Sequence, residues 1–288
     1  MIYIVIPSFN EKFFVIQLID LLYQQTYTNF QIIVSDNGSS DGTQEIIEKN
    51  YPKVALICND SSFWWTKSTN EGVKYALKQS TSNLDYILTI NCDTTVKINF
   101  LENLLICSKQ NPNSIIGAVN VDTNNNTIQF GGVVIDNKIT AKYFYINLNK
   151  FYDKDLKNNQ TDFLPGRGAL IPIKVFQKIG NYDEMLPHYG ADYEFSYRAK
   201  KNHFNLIVNY NSPIFSFTKN TGLNNQINKL NFIDFLRSFF SIKSPSNLYR
   251  RAIFIYKCFP LKYFLVHIIF DFTRVLLGSL LRQIGLKS

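Results

Sequence analysis

The segment LTINCDTTV, residues 88 to 96, reads as a buried strand that runs into a polar loop holding one carboxylate, Asp93, where a metal-binding site usually offers two. Mg²⁺ and Mn²⁺ favour oxygen ligands, and Mg²⁺ is commonly held by one or two carboxylates while phosphate oxygens and water fill the other positions. Asp93 is therefore either a one-carboxylate metal ligand or a turn residue. Asp36 ends the apolar run FQIIVSD, and a carboxylate at the carboxyl end of a strand can receive a donor from a base edge or a sugar hydroxyl. The alternative is that Asp36, Asn37 and Gly38 build a turn and Asp41 caps the next helix.

Three further stretches carry groups able to do chemistry. In SFWWTKSTNEG, Lys67 stands close to a helix start, and both a helix N-terminus and a lysine favour phosphate. Trp64 and Trp65 in the same stretch either pack in the core or face a ligand. In GADYEFSYRA, Glu194 and Arg198 are spaced i,i+4, which suits a structural ion pair on a helix, and Asp192 at the helix start complements the dipole if it does nothing else. In LPGRGALIP, Gly166 and Gly168 let the backbone come close to a ligand. Arg167 between them either meets an acidic sugar or lipid phosphate or is a surface arginine. His188, just ahead of GADYEF, either assists Asp192 or is packed.

The elements that must hold these groups alternate in type. IYIVIP (2 to 7), FQIIVSD (30 to 36), KVALICN (53 to 59) and LDYILTIN (84 to 91) are apolar runs, separated by helical patterns carrying Phe14, Leu18, Leu21 and Leu22, then near 42 to 49, then around 69 to 79. Strands that are continuously apolar are buried on both faces, and alternation with helices predicts βαβ units and a parallel sheet. Ligands of such sheets lie beyond the carboxyl ends of the strands, near the point where strand order reverses. The loops after positions 7, 36, 59 and 91 are all rich in Asn, Asp, Ser and Gly, and they meet on that edge. From 113 to 173 shorter runs with Asn/Gly/Asp turns predict a mixed or antiparallel extension.

IVIPSFNE, VSDNGSSDGT, TKSTNEGVKYAL, LTINCDTTV and GADYEFSYRA, in this order, resemble the family 2 glycosyltransferases of GT-A fold, in particular the rhamnosyltransferase-like branch of bacterial surface-polysaccharide enzymes. The resemblance covers about residues 1 to 220. It implies an α/β, Rossmann-like, mostly parallel central sheet flanked by helices. It places Pro7, Phe9, Asn10, Glu11, Asp36, Asn37, Lys67, Asn91 and Asp93 at a nucleotide-diphosphate sugar donor, and Trp65, Gly166, Arg167, Gly168 and His188 on the acceptor side. Asp192 matches the catalytic base, and Asp93 the ligand of a divalent cation, Mn²⁺ or Mg²⁺. Two departures weaken the metal expectation: Asn91 stands where the metal motif has its first carboxylate, and PIFSFTKNTG lacks the late histidine, leaving Lys219 as a substitute charge. The implied reaction is an inverting transfer to a lipid-linked glycan acceptor. A catalytically silent nucleotide-sugar binder and a sugar nucleotidyltransferase are the alternatives.

Bulk properties bound the rest. At 288 residues, 45% hydrophobic and 15% aromatic, the chain has the composition of a folded protein. Its four cysteines form no CxxC pair, which argues against a zinc cluster or disulfide framework. No basic leader precedes MIYIVIPSFN, so a cytoplasmic location is expected. The charge is uneven: residues 227–288 hold ten Lys/Arg and two Asp/Glu, a net +8 equal to that of the whole chain. Two domains are thus expected, 1–226 catalytic and 227–288 a basic amphipathic helical tail, with Leu261, Leu265, Ile268, Phe272 and Leu276 at helical spacing. A tail of this kind suits peripheral association with the inner face of the cytoplasmic membrane. Nucleic acid is not an expected partner, since the basic residues lie among apolar ones.

Overall fold

The computed structural model describes residues 1–216, 236–242 and 244–283. The boundary expected at 226/227, Lys219 and the start of FIDFLRSFFSIK lie outside the described residues.

The first half builds the expected βαβ units. β1 (Ile2–Ser8), β2 (Phe30–Asp36), β3 (Ala55–Cys58) and β4 (Tyr86–Thr89) are parallel neighbours in the order β4-β1-β2-β3, linked by α1 (Lys12–Tyr23), α2 (Thr43–Asn50) and α3 (Trp65–Gln79). All seven residues of β1 are buried, and they alternate between two cores. Tyr3 and Val5 pack with Val73 and Ala76 of α3, while Ile2, Ile4 and Ile6 pack with Val15, Leu18 and Leu22 of α1. Strand order reverses between β1 and β4, which puts the residues after Pro7 and after Thr89 on either side of the switch point.

The second half is mixed, as the shorter apolar runs predict. After β5 (Thr94–Val96) and α4 (Phe100–Gln110) come β6 (Ser114–Asp122), β7 (Ile128–Phe130), β8 (Val133–Asn137), β9 (Lys142–Tyr145), β10 (Asn159–Gln160) and β11 (Ala169–Pro172). β11 lies antiparallel between β4 and β6, and β12 (Asn205–Ser216) lies parallel to β6, so β1, β2, β3, β4, β6 and β12 all run one way in a ten-stranded sheet. β8 and β9 form a separate two-stranded hairpin. α5 (Ile173–Ile179) and α6 (Ala191–Lys201) cover the same face as α3.

In the tail, α7 (Leu248–Cys258) and α8 (Phe264–Gln283) are joined through a short 3₁₀ turn. α8 is inverted relative to a soluble amphipathic helix. Its buried stripe is polar, His267 and Asp271, whereas Leu265, Ile269, Phe270, Leu276, Leu277 and Leu280 are exposed. His267 Nε2 lies 2.7 Å from the Lys138 carbonyl, and Asp271 accepts two 2.6 Å bonds from Arg251 of α7. The segment Leu261–Leu281 is long and apolar enough to span a bilayer, whereas the sequence predicts a tail that lies on the membrane.

Candidate active site

The switch point opens into a cleft of about 560 Å³ walled by Pro7, Glu11, Asn91, Asp93, Arg167 and Asp192, among others. These residues come from four separate segments, more than 180 residues apart at the extremes, that converge on one space.

Asp192 occupies the second residue of α6, whose N-cap Gly190 has φ +87°. Its carboxylate accepts bonds from the backbone N–H of Gly166 (3.1 Å) and Tyr193 (2.9 Å). Burial pushes its pKa above the ordinary aspartate value of 3.8, and the backbone donors and nearby Arg167 pull against that rise. The predicted pair one turn on is present: Arg198 grips Glu194 through two 2.9 Å bonds and donates to the Asn181 carbonyl, so these residues anchor α6 rather than enter the cleft.

Asp93 faces Asp192's loop through Arg167, whose Nη2 is 3.3 Å from Asp93 Oδ2. Asp93 Oδ1 is buried and has no hydrogen-bond partner. Such an orphaned carboxylate oxygen fits a divalent cation held by one protein ligand. Among the described residues no group of three His, Cys, Asp or Glu gathers around it, so diphosphate and water oxygens would have to complete the shell. Asn91 does not add a ligand, because its Oδ1 accepts from Trp65 Nε1 at 3.0 Å. Glu11 lines the same cleft, and burial raises its pKa; the Cys92 thiol donates to its Oε2 at 2.5 Å.

The loop Pro165–Gly168 is locked in place. A Cβ at Gly166 would lie 2.4 Å from the Trp65 ring, and Gly168 has φ +79° with its N–H bonded to the Thr89 carbonyl at 2.8 Å. The close approach predicted for these glycines is made by protein, not left open for ligand. Trp65 therefore forms a wall between cleft and loop, edge-on to Tyr182 at 5.4 Å. His188 lines the cleft with its Nδ1 buried and unpartnered, and burial lowers its pKa below 6.5.

Several expected donor residues are placed elsewhere. Asp36 is fully buried, and its carboxylate accepts from Ser8 Oγ (2.7 Å), Ser39 Oγ (2.6 Å), Ser39 N (2.9 Å) and Gln44 Nε2 (2.6 Å). These four bonds organise the loop, as the turn-building alternative describes, and Asp36 is not among the residues that line the cleft. Asp41 accepts from the N–H of Thr43, the first residue of α2, from the position before the N-cap, which is Gly42. Asn37 joins the Asn59 and Phe63 loops, and Asn10, at φ +53°, ties its loop to Ser39 and Ser40. Phe9 is 48% exposed. Lys67 is not in the cleft: α3 begins at Trp65, so Lys67 falls about 200° around the helix from that inward ring and lies over Phe63 at 3.7 Å on the outer surface. Asn70 likewise serves structure, bonding both backbone groups of Tyr182.

The cleft also has walls that sequence reasoning missed, notably Asn120 and Ser216 at the ends of the parallel pair β6 and β12, and Tyr145, Tyr189 and Tyr193. The alternation in AKYFYI, which puts Tyr143 and Tyr145 on one face of β9, was the available signal for one of these.

Solved structures share this architecture at low identity. Staphylococcus aureus TarS residues 1–349 in complex with UDP superposes with a TM-score of 0.53 at 16% identity, covering 75% of this chain and 60% of that one. GalNAc-T7 with UDP, GalNAc and Mn²⁺ gives 0.61 at 15%, covering 95% and 57%. Both are GT-A folds. Among curated proteins, the succinoglycan biosynthesis protein ExoA of Rhizobium meliloti is 27% identical over 203 residues, 69% of this chain and 57% of ExoA. The UDP-Glc:alpha-D-GlcNAc-diphosphoundecaprenol beta-1,3-glucosyltransferase WfgD of Escherichia coli is 27% identical over 157 residues, 54% of each chain. An uncharacterized Haemophilus influenzae glycosyltransferase, 32% identical over 114 residues, is matched over 36% of its length, so the chain spans only part of such relatives. Residues 3–180 match the model of glycosyl transferase family 2. Because that match spans more than half of the chain, from β1 to α5, the chain belongs to glycosyl transferase family 2.

Proposed function

We propose that this protein is an inverting glycosyltransferase of surface-polysaccharide synthesis, moving a sugar from a nucleotide-diphosphate sugar to a hydroxyl of a lipid-linked or oligosaccharide acceptor. The observation that carries this is the position of Asp192, a half-buried carboxylate of raised pKa in the same cleft as Asp93 and Arg167. A carboxylate of raised pKa is a stronger base than an exposed one and is suited to taking a proton from an alcohol under attack. Asp192 accepts that proton as the acceptor oxygen bonds to the anomeric carbon. The anomeric C–O bond to the diphosphate breaks with its electron pair, and no covalent enzyme intermediate forms.

Arg167 stands beside Asp93, where negative charge gathers on the leaving diphosphate. Asp93, through its free Oδ1, would hold a divalent cation, and a bound Mg²⁺ or Mn²⁺ supplies further stabilisation of that charge. The presence of Arg167 supports a metal dependence that is real but weak. Supporting the donor class, TarS and GalNAc-T7 were solved with UDP, and WfgD is a glucosyltransferase that takes UDP-Glc and a diphosphoundecaprenol-linked acceptor. Family membership sets the nucleotidyltransferase alternative aside.

The protein acts, in this reading, on the cytoplasmic side of the membrane and is held at its inner face by the tail. The support is the outward apolar face of α8 and the net +8 of residues 227–288. Asp271 and His267, near the middle of α8, are bonded to Arg251 and to the Lys138 carbonyl. Those contacts favour a helix lying on the surface over one that leaves the domain to cross the bilayer.

The test is calorimetric titration with UDP, dTDP, GDP and CMP, each with Mn²⁺, Mg²⁺ or EDTA, followed by turnover assays with the matching sugar donors. One nucleoside diphosphate is expected to bind, and Asp192→Asn is expected to bind it equally while losing transfer. Binding with no turnover in the wild type, unchanged by Asp192→Asn, would instead identify a catalytically silent nucleotide-sugar binder.

A further inference from the structure

A second chamber of about 390 Å³ lies between the domain and the tail helices, and it meets the first cleft at Asp192. Tyr145, Pro165, His188, Tyr189, Asp192 and Tyr193 wall both spaces, whereas Asp93 and Glu11 belong only to the first. A reacting group entering from the second chamber thus reaches Asp192 from the side away from Asp93. An in-line displacement needs this arrangement, with the attacking oxygen and the leaving diphosphate on different sides of the anomeric carbon.

The chamber's lining describes what it takes. One wall is aromatic, Tyr143 and Tyr145 of the β8–β9 hairpin together with Tyr189, and the other is Arg250, Arg251 and Phe254 of α7. Sugar rings present C–H faces that pack on aromatic rings and hydroxyls that need partners. Tyr145, its hydroxyl pushed up to about 12 by burial, stays a neutral donor, and the buried Nδ1 of His188 is without a partner. The two arginines differ. Arg251 is committed to Asp271 by two 2.6 Å bonds and to the Pro245 carbonyl at 3.2 Å. Arg250 gives one N–H to the Met185 carbonyl, lies over the Tyr249 ring at 5.3 Å and forms no ion pair among the described residues. A guanidinium without a carboxylate partner there, at the rim of an aromatic chamber, is suited to phosphate. Asp271 brings α8 to the same chamber, and the adjoining Phe270 is exposed, so an apolar tail leaving the chamber passes it on the way to the outward face of that helix.

We propose that this chamber is the acceptor subsite and that the C-terminal helices are part of it. It binds a glycosyl diphosphate carrying a lipid tail, the sugar between the tyrosines and Phe254, the diphosphate on Arg250, and the tail along α8. The proposal rests on the glycosyltransferase reading for the role of Asp192, but its binding test does not require turnover.

Full-length protein is titrated calorimetrically with glucosyl, galactosyl and N-acetylglucosaminyl diphosphates bearing a ten-carbon tail. The same sugars as decyl glycosides and as untailed diphosphates serve as controls, and UDP, dTDP, GDP and CMP report the donor cleft. For the tailed diphosphate that wild type binds, Arg250→Ala is expected to weaken binding at least tenfold while leaving the decyl glycoside unchanged. Arg250→Lys is expected to restore part of the loss. Ile242→Trp, a change at a 37% exposed residue on the chamber wall, is expected to weaken tailed diphosphate and decyl glycoside alike. Nucleoside diphosphate binding is expected to stay within twofold in all three variants. Unchanged affinity for the tailed diphosphate in Arg250→Ala and Ile242→Trp overturns the proposal, as does failure of wild type to bind any tailed diphosphate. Equal affinity for the untailed compound overturns the lipid part and leaves a soluble glycosyl phosphate. Absence of nucleoside diphosphate binding beside intact acceptor binding counts against the donor reading instead.

Discussion

Asp192 and Asp93 are both single carboxylates in polar loops, yet their surroundings assign them opposite work. Burial raises the pKa of Asp192, whereas Asp93 is paired with the guanidinium of Arg167. A base must be ionised, so transfer is present above the Asp192 pKa and lost as pH falls through it. Because that pKa is raised, the acidic limb of kcat/KM is expected at a higher pH than the 3.8 of an ordinary aspartate, read from a pH–rate profile. His188, whose pKa burial lowers, is expected to add no break near neutrality. Replacing Asp192 by Asn is expected to reduce kcat by roughly 10²- to 10⁴-fold with nucleotide binding within twofold. For Arg167→Ala the expected change is in metal dependence. With the organic cation gone, nucleoside diphosphate affinity in EDTA falls, and the gain on adding Mn²⁺ grows at least tenfold, measured by calorimetry; an unchanged gain would show that Arg167 does not share the diphosphate charge. At this scale the sequence is a good guide to which residues are polar at the strand ends and a poor one to which way they point. Asp36 and Asp93 both end or follow apolar strands, and only the four donors around Asp36 distinguish a loop organiser from a cleft residue.

The same limit has a clear cause one level up, in where elements begin. The parallel half of the sheet is legible because β1 and β2 are apolar on both faces, and the Glu194–Arg198 spacing correctly announces α6. The start of α3 is not legible. Its N-cap, Trp64, is extended and makes no side-chain cap bond, so the usual Ser/Thr/Asp signal is missing and the helix begins at Trp65, ahead of the 69 to 79 expected. Four residues of helix turn Lys67 to solvent and bring the Trp65 ring onto Gly166. That contact couples three elements: α3 through Trp65, the β4 loop through Asn91, and α6 through the Gly166 N–H on Asp192. Gly166→Ala puts a methyl 2.4 Å from the ring, and overpacking of this kind costs typically about 1–3 kcal/mol. The ring or the loop must shift, and either movement takes the N–H away from Asp192. The expected result is a folded protein with a melting temperature lowered by several degrees and kcat reduced more than tenfold. Wild-type kcat in Gly166→Ala would show that the contact only packs.

Over the whole molecule, α8 places its apolar surface on the outside while spending its buried positions on polar contacts to the domain and to α7. An ordinary amphipathic helix with this composition would rotate to bury its leucines. α8 is prevented from doing so because Asp271 is clamped by Arg251, His267 by the Lys138 carbonyl, and Arg274 by the Thr140 carbonyl at 2.5 Å. The consequence is an exposed row of Leu265, Ile269, Phe270, Leu276, Leu277 and Leu280, flanked by a net-positive tail. Each Lys/Arg near an anionic surface contributes on the order of 1 kcal/mol, so apolar insertion and charge attraction act together. Two sets of variants separate these contributions. Leu265→Gln with Ile269→Gln and Leu276→Gln removes apolar surface that touches no core, and is expected to abolish sedimentation with anionic liposomes at every salt concentration while leaving the melting temperature unchanged. Wild type is expected to sediment with anionic vesicles and to be released partly by raised salt, since screening weakens only the charge term. Asp271→Ala acts differently: it frees Arg251 and unclamps α8, so the melting temperature falls while vesicle binding persists. Sedimentation of the triple glutamine variant as efficiently as wild type would mean that the outward leucines face something other than lipid, and the cytoplasmic-membrane placement would lose its main support.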